Sequence, residues 1–235
     1  MNSQLYLIEK EIKDGNINNA EKLCWQLLDT SPNDFHVNKA LGLCLLLQRK
    51  NNGAIEIYEK TLAIKDDDFD VNNNIAQLYL EIEELEKTKK HLKKATEVNP
   101  QSHLPYITYA ELSIKLRNFE EGKNLIEKSI SILGDKEKYA QIHQLVFSYG
   151  DILIALDKKA KAIEFVKECF EISKDTTIFY YLMNLKNNIY SRKEIDKFVD
   201  DSLQQKYQSE AQAHLNLAPL YFGLGRYSAS SDTKL

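Results

Sequence analysis

The segment that decides the fold is residues 69–102, FDVNNNIAQLYLEIEELEKTKKHLKKATEVNPQS. The segments 35–68, 103–136 and 143–176 align with it without gaps, so this part of the chain repeats with a period of 34 residues. Three places in the repeat hold small residues in all four segments. They are Gly42, Ala76, Ala110 and Gly150 at the eighth place, Ala54, Thr88, Gly122 and Ala162 at the twentieth, and Thr61, Ala95, Ser129 and Cys169 at the twenty-seventh. Because helices approach closely where side chains are small, this period predicts stacked helix pairs.

The apolar residues within the repeat have helical spacing. Ile75, Leu78, Tyr79 and Ile82 follow the i, i+3, i+4, i+7 pattern of an amphipathic helix. Turn-forming residues such as Asn99-Pro100 separate consecutive segments. No run shows the period-two alternation of a strand over a useful length. These observations predict an all-α fold.

The predicted organisation is a single array of helix pairs. Its divisions are an N-terminal capping or repeat unit at 1–34, three regular units at 35–136, an insertion at 137–142, a regular unit at 143–176, a degenerate unit at 177–210 and a partial unit with a polar tail at 211–235. Pro219 lies inside the first helix of the last unit, where it is expected to delay or kink that helix.

The small places, together with Pro32 and Pro100 near the ends of second helices, resemble the tetratricopeptide repeat family. The first unit shares Gly15 and Ala20 with this pattern. The resemblance implies a right-handed superhelical solenoid of antiparallel helix pairs, with about six to seven 34-residue units. It also implies a non-enzymatic scaffold or adaptor that binds a peptide or protein segment in its concave groove.

Two alternative functions are left open. The stretches 214–218 and 224–227 resemble the end of repeat arrays that precede sulfotransferase domains in some bacterial proteins. The first alternative is therefore a regulatory array of a sulfotransferase-type protein whose catalytic domain is absent here. The second is an assembly or secretion factor. The sequence names neither the partner nor the pathway.

The candidate binding residues follow from the resemblance, because the first helix of each unit lines the concave face in this family. The fifth, sixth and ninth places of the repeat, among others, point inward. The candidates are Lys39, Leu43, Asn73, Asn74, Gln77, Ile107, Thr108, Glu111, Phe147, Asp151 and Tyr181. Amides pair with a peptide backbone, and apolar and aromatic side chains supply anchoring area.

One subtype of the family grips a C-terminal carboxylate with two lysines, two asparagines and an arginine. Lys39 and Asn74 match this set, whereas Leu43, Leu104 and Thr108 stand where asparagine, lysine and arginine are required. We therefore expect no binding to chaperone tails tighter than about ten micromolar.

Catalytic signals are weak throughout the sequence. No two of the five histidines lie three or four residues apart, so no metal pair is predicted. No glycine-rich phosphate loop is present, and Gly223-Leu224-Gly225 has the character of a helix end. We predict no enzymatic activity, no catalytic residue, no cofactor and no metal.

Charge and composition limit the partners that are expected. The net charge is −4, so nucleic acid is not an expected partner. The basic run Lys87–Lys94 follows acidic residues and is predicted to be solvated surface. No apolar run approaches the roughly 20 residues that span a bilayer, no signal peptide is seen, and the three cysteines form no Cys-x-x-Cys. A cytoplasmic protein is predicted, and self-association through Trp25 is left open.

Overall fold

The computed structural model describes residues 3–185, together with Lys193 and Lys197. Every element between residues 3 and 185 is an α-helix, which confirms the predicted all-α class. The helices are α1 (Ser3–Lys13), α2 (Ile17–Thr30), α3 (Phe35–Leu47), α4 (Asn51–Ile64), α5 (Phe69–Glu81), α6 (Leu85–Val98), α7 (Leu104–Lys115), α8 (Phe119–Leu133), α9 (Lys136–Tyr139), α10 (His143–Ala155), α11 (Lys159–Ser173) and α12 (Thr176–Leu185).

The chain divides into two compact units between Ile132 and Leu133. In the first unit, α1 packs on α2, α3 on α4 and α5 on α6, while the contacts of α2 with α3, α4 with α5 and α6 with α7 join successive pairs. In the second unit, α11 packs against α9, α10 and α12. Each helix thus contacts mainly its neighbours in sequence, as a repeat protein requires.

The small places of the repeat are the points of closest packing. All twelve of the small residues are buried. A Cβ added to Gly42 would lie 2.6 Å from Cδ1 of Tyr58, and one added to Gly150 would lie 2.9 Å from Cε1 of Tyr181. Because real Cβ atoms need more room than this, only glycine fits these two positions without displacing an aromatic ring.

The turn within each described helix pair repeats the same backbone geometry, every 34 residues from Gly15 to Arg117 and again at Asp157 after the insertion. The second residue after the first helix has a positive φ, and the next N–H donates to a carbonyl oxygen five residues earlier, at 2.8–2.9 Å. The positive-φ residues are Gly15 (81°), Arg49 (58°), Glu83 (62°), Arg117 (57°) and Asp157 (58°). A left-handed residue followed by this hydrogen bond is a common way to end a helix. The pair α1–α2 therefore turns in the same way as the later pairs.

The turn between successive pairs is held by a side chain at the fourth place of the repeat. In three units this side chain donates to a carbonyl oxygen six residues earlier, at 2.8–3.1 Å. The donors are Asn38, Asn72 and Tyr106, and the carbonyls belong to Pro32, Asp66 and Pro100. Asp34 and Asp68 cap the next helix, because their carboxylates accept the N–H groups of Val37 and Val71 at 3.0 Å.

The predicted divisions can be compared with these bounds only in part. The short helix α9 overlaps the predicted insertion at 137–142. The helix α12 overlaps the start of the predicted unit at 177–210. The rest of that unit apart from Lys193 and Lys197, and all of 211–235 including Pro219, lie outside the described residues. Among the helices of residues 3–185, none is long and apolar enough to cross a membrane.

Candidate functional site

In the first of the two compact units, the first helices of three successive helix pairs border an open cavity of about 380 Å³. We call the surface formed by α1, α3 and α5 the first-helix face, and this opening the first-helix cavity. Its lining residues are Leu5, Glu9, Ile12, His36, Lys39, Ala40, Leu43, Tyr58, Asp70, Val71 and Asn74. Three of the candidate binding residues, Lys39, Leu43 and Asn74, therefore share one site. The 34-residue period places them together, because Lys39 and Leu43 on α3 and Asn74 on α5 all occupy inward places of the repeat.

Lys39 is engaged by two carboxylates at this site. Its Nζ lies 2.9 Å from Oδ2 of Asp68 and 2.7 Å from Oδ2 of Asp70. Burial lowers the pKa of Lys39, but the hydrogen bonds to Asp70 and Asp68 outweigh burial and raise that pKa overall. The ammonium is therefore charged and already paired, so an incoming anion would have to compete with two aspartates for it.

Tyr58, on the second helix α4, also lines the cavity. Its ring is almost fully buried, and its hydroxyl accepts a hydrogen bond from Nδ2 of Asn74 at 3.2 Å. Burial raises the pKa of Tyr58, whereas the Asn74 amide opposes that rise. Asn74 is thereby held in one orientation at the wall of the cavity, with its amide group directed to the phenol.

Three candidates are buried, which corrects the expectation that they are accessible to a ligand. The exposed fractions of Asn73, Ile107 and Thr108 are 3%, 1% and 0%. They lie on α5 and α7, which pack against each other, so these three side chains are covered by neighbouring helices. Gln77 and Glu111 are half-buried on the same two helices and do not line the first-helix cavity.

The remaining candidates meet in the second unit. The rings of Phe147 and Tyr181 have centroids 4.8 Å apart, and the Tyr181 hydroxyl donates to Oδ1 of Asp151 at 2.6 Å. His143 stacks on Phe147 at 5.9 Å, and its Nε2 lies 3.1 Å from Oδ1 of Asp175. Burial, followed by the hydrogen bond to Asp151, raises the pKa of Tyr181. These contacts form a small aromatic cluster in which the Tyr181 hydroxyl is paired with Asp151.

Several lining residues are absent from the list of candidates predicted from the sequence. Leu5, Glu9 and Ile12 occupy the fifth, ninth and twelfth places of the unit 1–34. His36 and Asp70 occupy the second place of the following two units. Applying the same positional rule to every unit identifies all five. In the repeat unit 1–34 these places can be identified only by counting along the 34-residue register, because that unit lacks the small residue at its eighth place.

The basic run Lys87–Lys94 lies on α6, and two of its lysines lie beside acids. Lys94 pairs with Asp66 at 3.0 Å, and Lys93 lies 3.9 Å from Glu97. The Lys87 ammonium lies 4.8 Å above the ring of Tyr79. A cavity of about 500 Å³ between α4 and α6 is lined by Lys93 and Lys94 and by the acids Glu59, Asp66 and Glu97. The local pairing supports the prediction of a solvated outer surface.

The helix pairs and the first-helix face are typical of helical-repeat scaffolds that bind other proteins. Residues 69–102 and 143–176 match a family model of the tetratricopeptide repeat. These two segments are therefore similar to tetratricopeptide repeats, and the solved structures below share the fold of the chain.

Solved structures of repeat proteins share this fold at low sequence identity. PilF of Pseudomonas aeruginosa is 17% identical, with a TM-score of 0.66 over 99% of this chain and 96% of that chain. YrrB, described as a TPR protein with an unusual peptide-binding site, is 12% identical, with a TM-score of 0.63 over 78% of this chain and 90% of that one. A MamA fragment from Desulfovibrio magneticus RS-1 is 16% identical, with a TM-score of 0.62 over 75% and 98%. No curated protein matches the chain in sequence.

Proposed function

We propose that this protein is a non-enzymatic scaffold whose first-helix cavity binds an extended segment of a partner protein. The observation that carries the proposal is the cavity itself, about 380 Å³ in volume and shared by three consecutive first helices. A solvent-open depression of this kind in a repeat protein is typically a recognition surface.

The chemistry of the walls suits a peptide. Leu43 and Val71 offer apolar area for an anchoring side chain, while Asn74 and His36 offer polar atoms for a peptide backbone. YrrB has a peptide-binding site on the same fold, which supports this assignment by analogy. A chaperone tail is not the expected ligand, because Lys39 is paired with two aspartates and Thr108 is buried.

A peptide-display selection tests the proposal. A library of random peptides is selected on the wild-type protein and on a Leu43→Ala variant, with Ile64→Ala as the matched control. Leu43 lines the cavity, whereas Ile64 is exposed at the end of α4 and does not line it. We expect selected peptides to bind the Leu43→Ala variant about tenfold more weakly than the wild type and to bind the control equally well. Equal binding to all three proteins, each with a normal melting curve, would contradict the proposal.

A further inference from the structure

The charge of the first-helix cavity indicates the class of segment that fits it. The lining acids are Glu9 and Asp70, and Asp68 joins them through its ion pair with Lys39. Three carboxylates face one ammonium, so these four side chains together carry two net negative charges. On the outer face, by contrast, Lys94 of α6 pairs with Asp66, and Lys93 lies 3.9 Å from Glu97.

The two carboxylates at the rim are open to solvent. The side chain of Asp70 is 60% exposed, although one of its oxygens contacts Lys39. Glu9 is exposed on α1, on the opposite side of the cavity. A cation that enters the cavity can therefore approach both carboxylates without first displacing Lys39 from Asp68. Each carboxylate oxygen has lone pairs for further donors.

The apolar walls favour a long cationic side chain over a small cation. Leu5, Ile12 and Leu43 border the cavity beside the carboxylates. Lysine and arginine bury their aliphatic stems against apolar surface while their charged ends remain at polar groups. Arginine also matches a carboxylate with two parallel hydrogen bonds.

We propose that the first-helix cavity binds a lysine or arginine side chain of a partner protein's extended segment, with a neighbouring apolar residue packed against Leu43. This inference rests on the proposed function and names the chemical class of its ligand. An acidic segment is disfavoured by the same geometry, because it would meet Glu9 and Asp70 and find the only lining ammonium already engaged.

The test uses three peptide libraries of about ten random residues, a length that spans the helices in extended form. The libraries are identical except for a fixed central residue, which is arginine, glutamine or glutamate. We expect enrichment on the full-length protein from the arginine library, and weaker binding of the selected peptides as the salt concentration rises.

Protein variants locate the contact. Glu9→Gln and Asp70→Asn are each expected to weaken a selected arginine peptide roughly threefold, and together roughly tenfold. Glu97→Gln is the matched control, since this exposed glutamate lies on the outer face beside Lys93, and it is expected to leave binding unchanged. Unchanged binding to the double variant would overturn the inference.

The remaining outcomes separate this inference from the proposed function. If all three libraries are enriched equally and Leu43→Ala still weakens binding about tenfold, the first-helix cavity binds peptides and the charge inference fails. If no library is enriched, or Leu43→Ala has no effect, the proposed function fails and the inference fails with it. Sedimentation velocity of the protein alone should show a monomer. A dimer that Asp70→Asn dissociates would assign the cavity to a second copy of the chain and would also overturn the inference.

Discussion

Replacing Gly42 by alanine is expected to destabilise the first of the two compact units, although alanine favours helices more than glycine does. The added Cβ would lie 2.6 Å from Cδ1 of Tyr58 and 2.9 Å from its Cζ. The Tyr58 ring is 1% exposed, so moving it aside would disturb the side chains packed around it. Its displacement would also break the hydrogen bond from Asn74 to the hydroxyl.

The magnitude follows from two opposing contributions. The helix preference of alanine stabilises by up to about 1 kcal/mol. Overpacking a well-filled core costs about 1–3 kcal/mol, so we expect a net loss of about 1 kcal/mol. Gly53→Ala is the matched control within the neighbouring helix, because its Cβ would meet only Cδ1 of Leu45 at 3.5 Å, an ordinary contact. That variant should be more stable than the wild type by up to about 1 kcal/mol.

The assay is urea denaturation followed by circular dichroism, with thermal melts as a second readout. The two alanine variants should differ by about 2 kcal/mol, or roughly 4–8 °C in melting temperature. In a Tyr58→Leu background, Gly42→Ala should cost less, and the resulting coupling free energy measures the ring contact. A Gly42→Ala variant as stable as Gly53→Ala would refute the reasoning.

Two further predictions concern hydrogen bonds made by side chains. Asn72→Ala removes the bonds to the preceding turn, including one to a carbonyl oxygen at 2.8 Å, and should cost about 1–3 kcal/mol in urea denaturation. Asn52→Ala, at an exposed site on α4, should be nearly neutral. Tyr181→Phe removes the hydroxyl that donates to Asp151, and a loss of about 1 kcal/mol is expected, measured by the same assay. Tyr180→Phe is its control, and equal stability of the two tyrosine variants would show that the Asp151 hydrogen bond contributes nothing.

The helix pairs could be predicted because the information that specifies them is local and repeated. Small residues at three places and turn residues at the boundaries recur every 34 residues, so each unit reinforces the interpretation of the next. The turn residues with left-handed backbone conformation could not be predicted from the sequence. Arg49, Glu83 and Arg117 have positive φ without being glycine, because the helix-ending hydrogen bond at each turn offsets the backbone strain.

The binding surface could be predicted only to the level of register. The inward places contain Lys39, Leu43 and Asn74, and these three residues do line one cavity. The same rule also selected Ile107 and Thr108, which are buried. Burial depends on how closely the next helix approaches, and that distance is set by side chains from several helices together rather than by one repeat.

The sequence by itself determined the helical class, the repeat length and the places where helices touch, because each is encoded in a short, periodic pattern. Only the tertiary structure decided the electrostatics of the cavity. The residues next to Lys39 in sequence do not predict an ion pair for it. The packing of α3 beside α5 nevertheless brings Asp68 and Asp70 to its ammonium. Coulomb interactions act across space between residues distant in sequence, so the charge that a ligand meets follows from the fold and not from the local pattern.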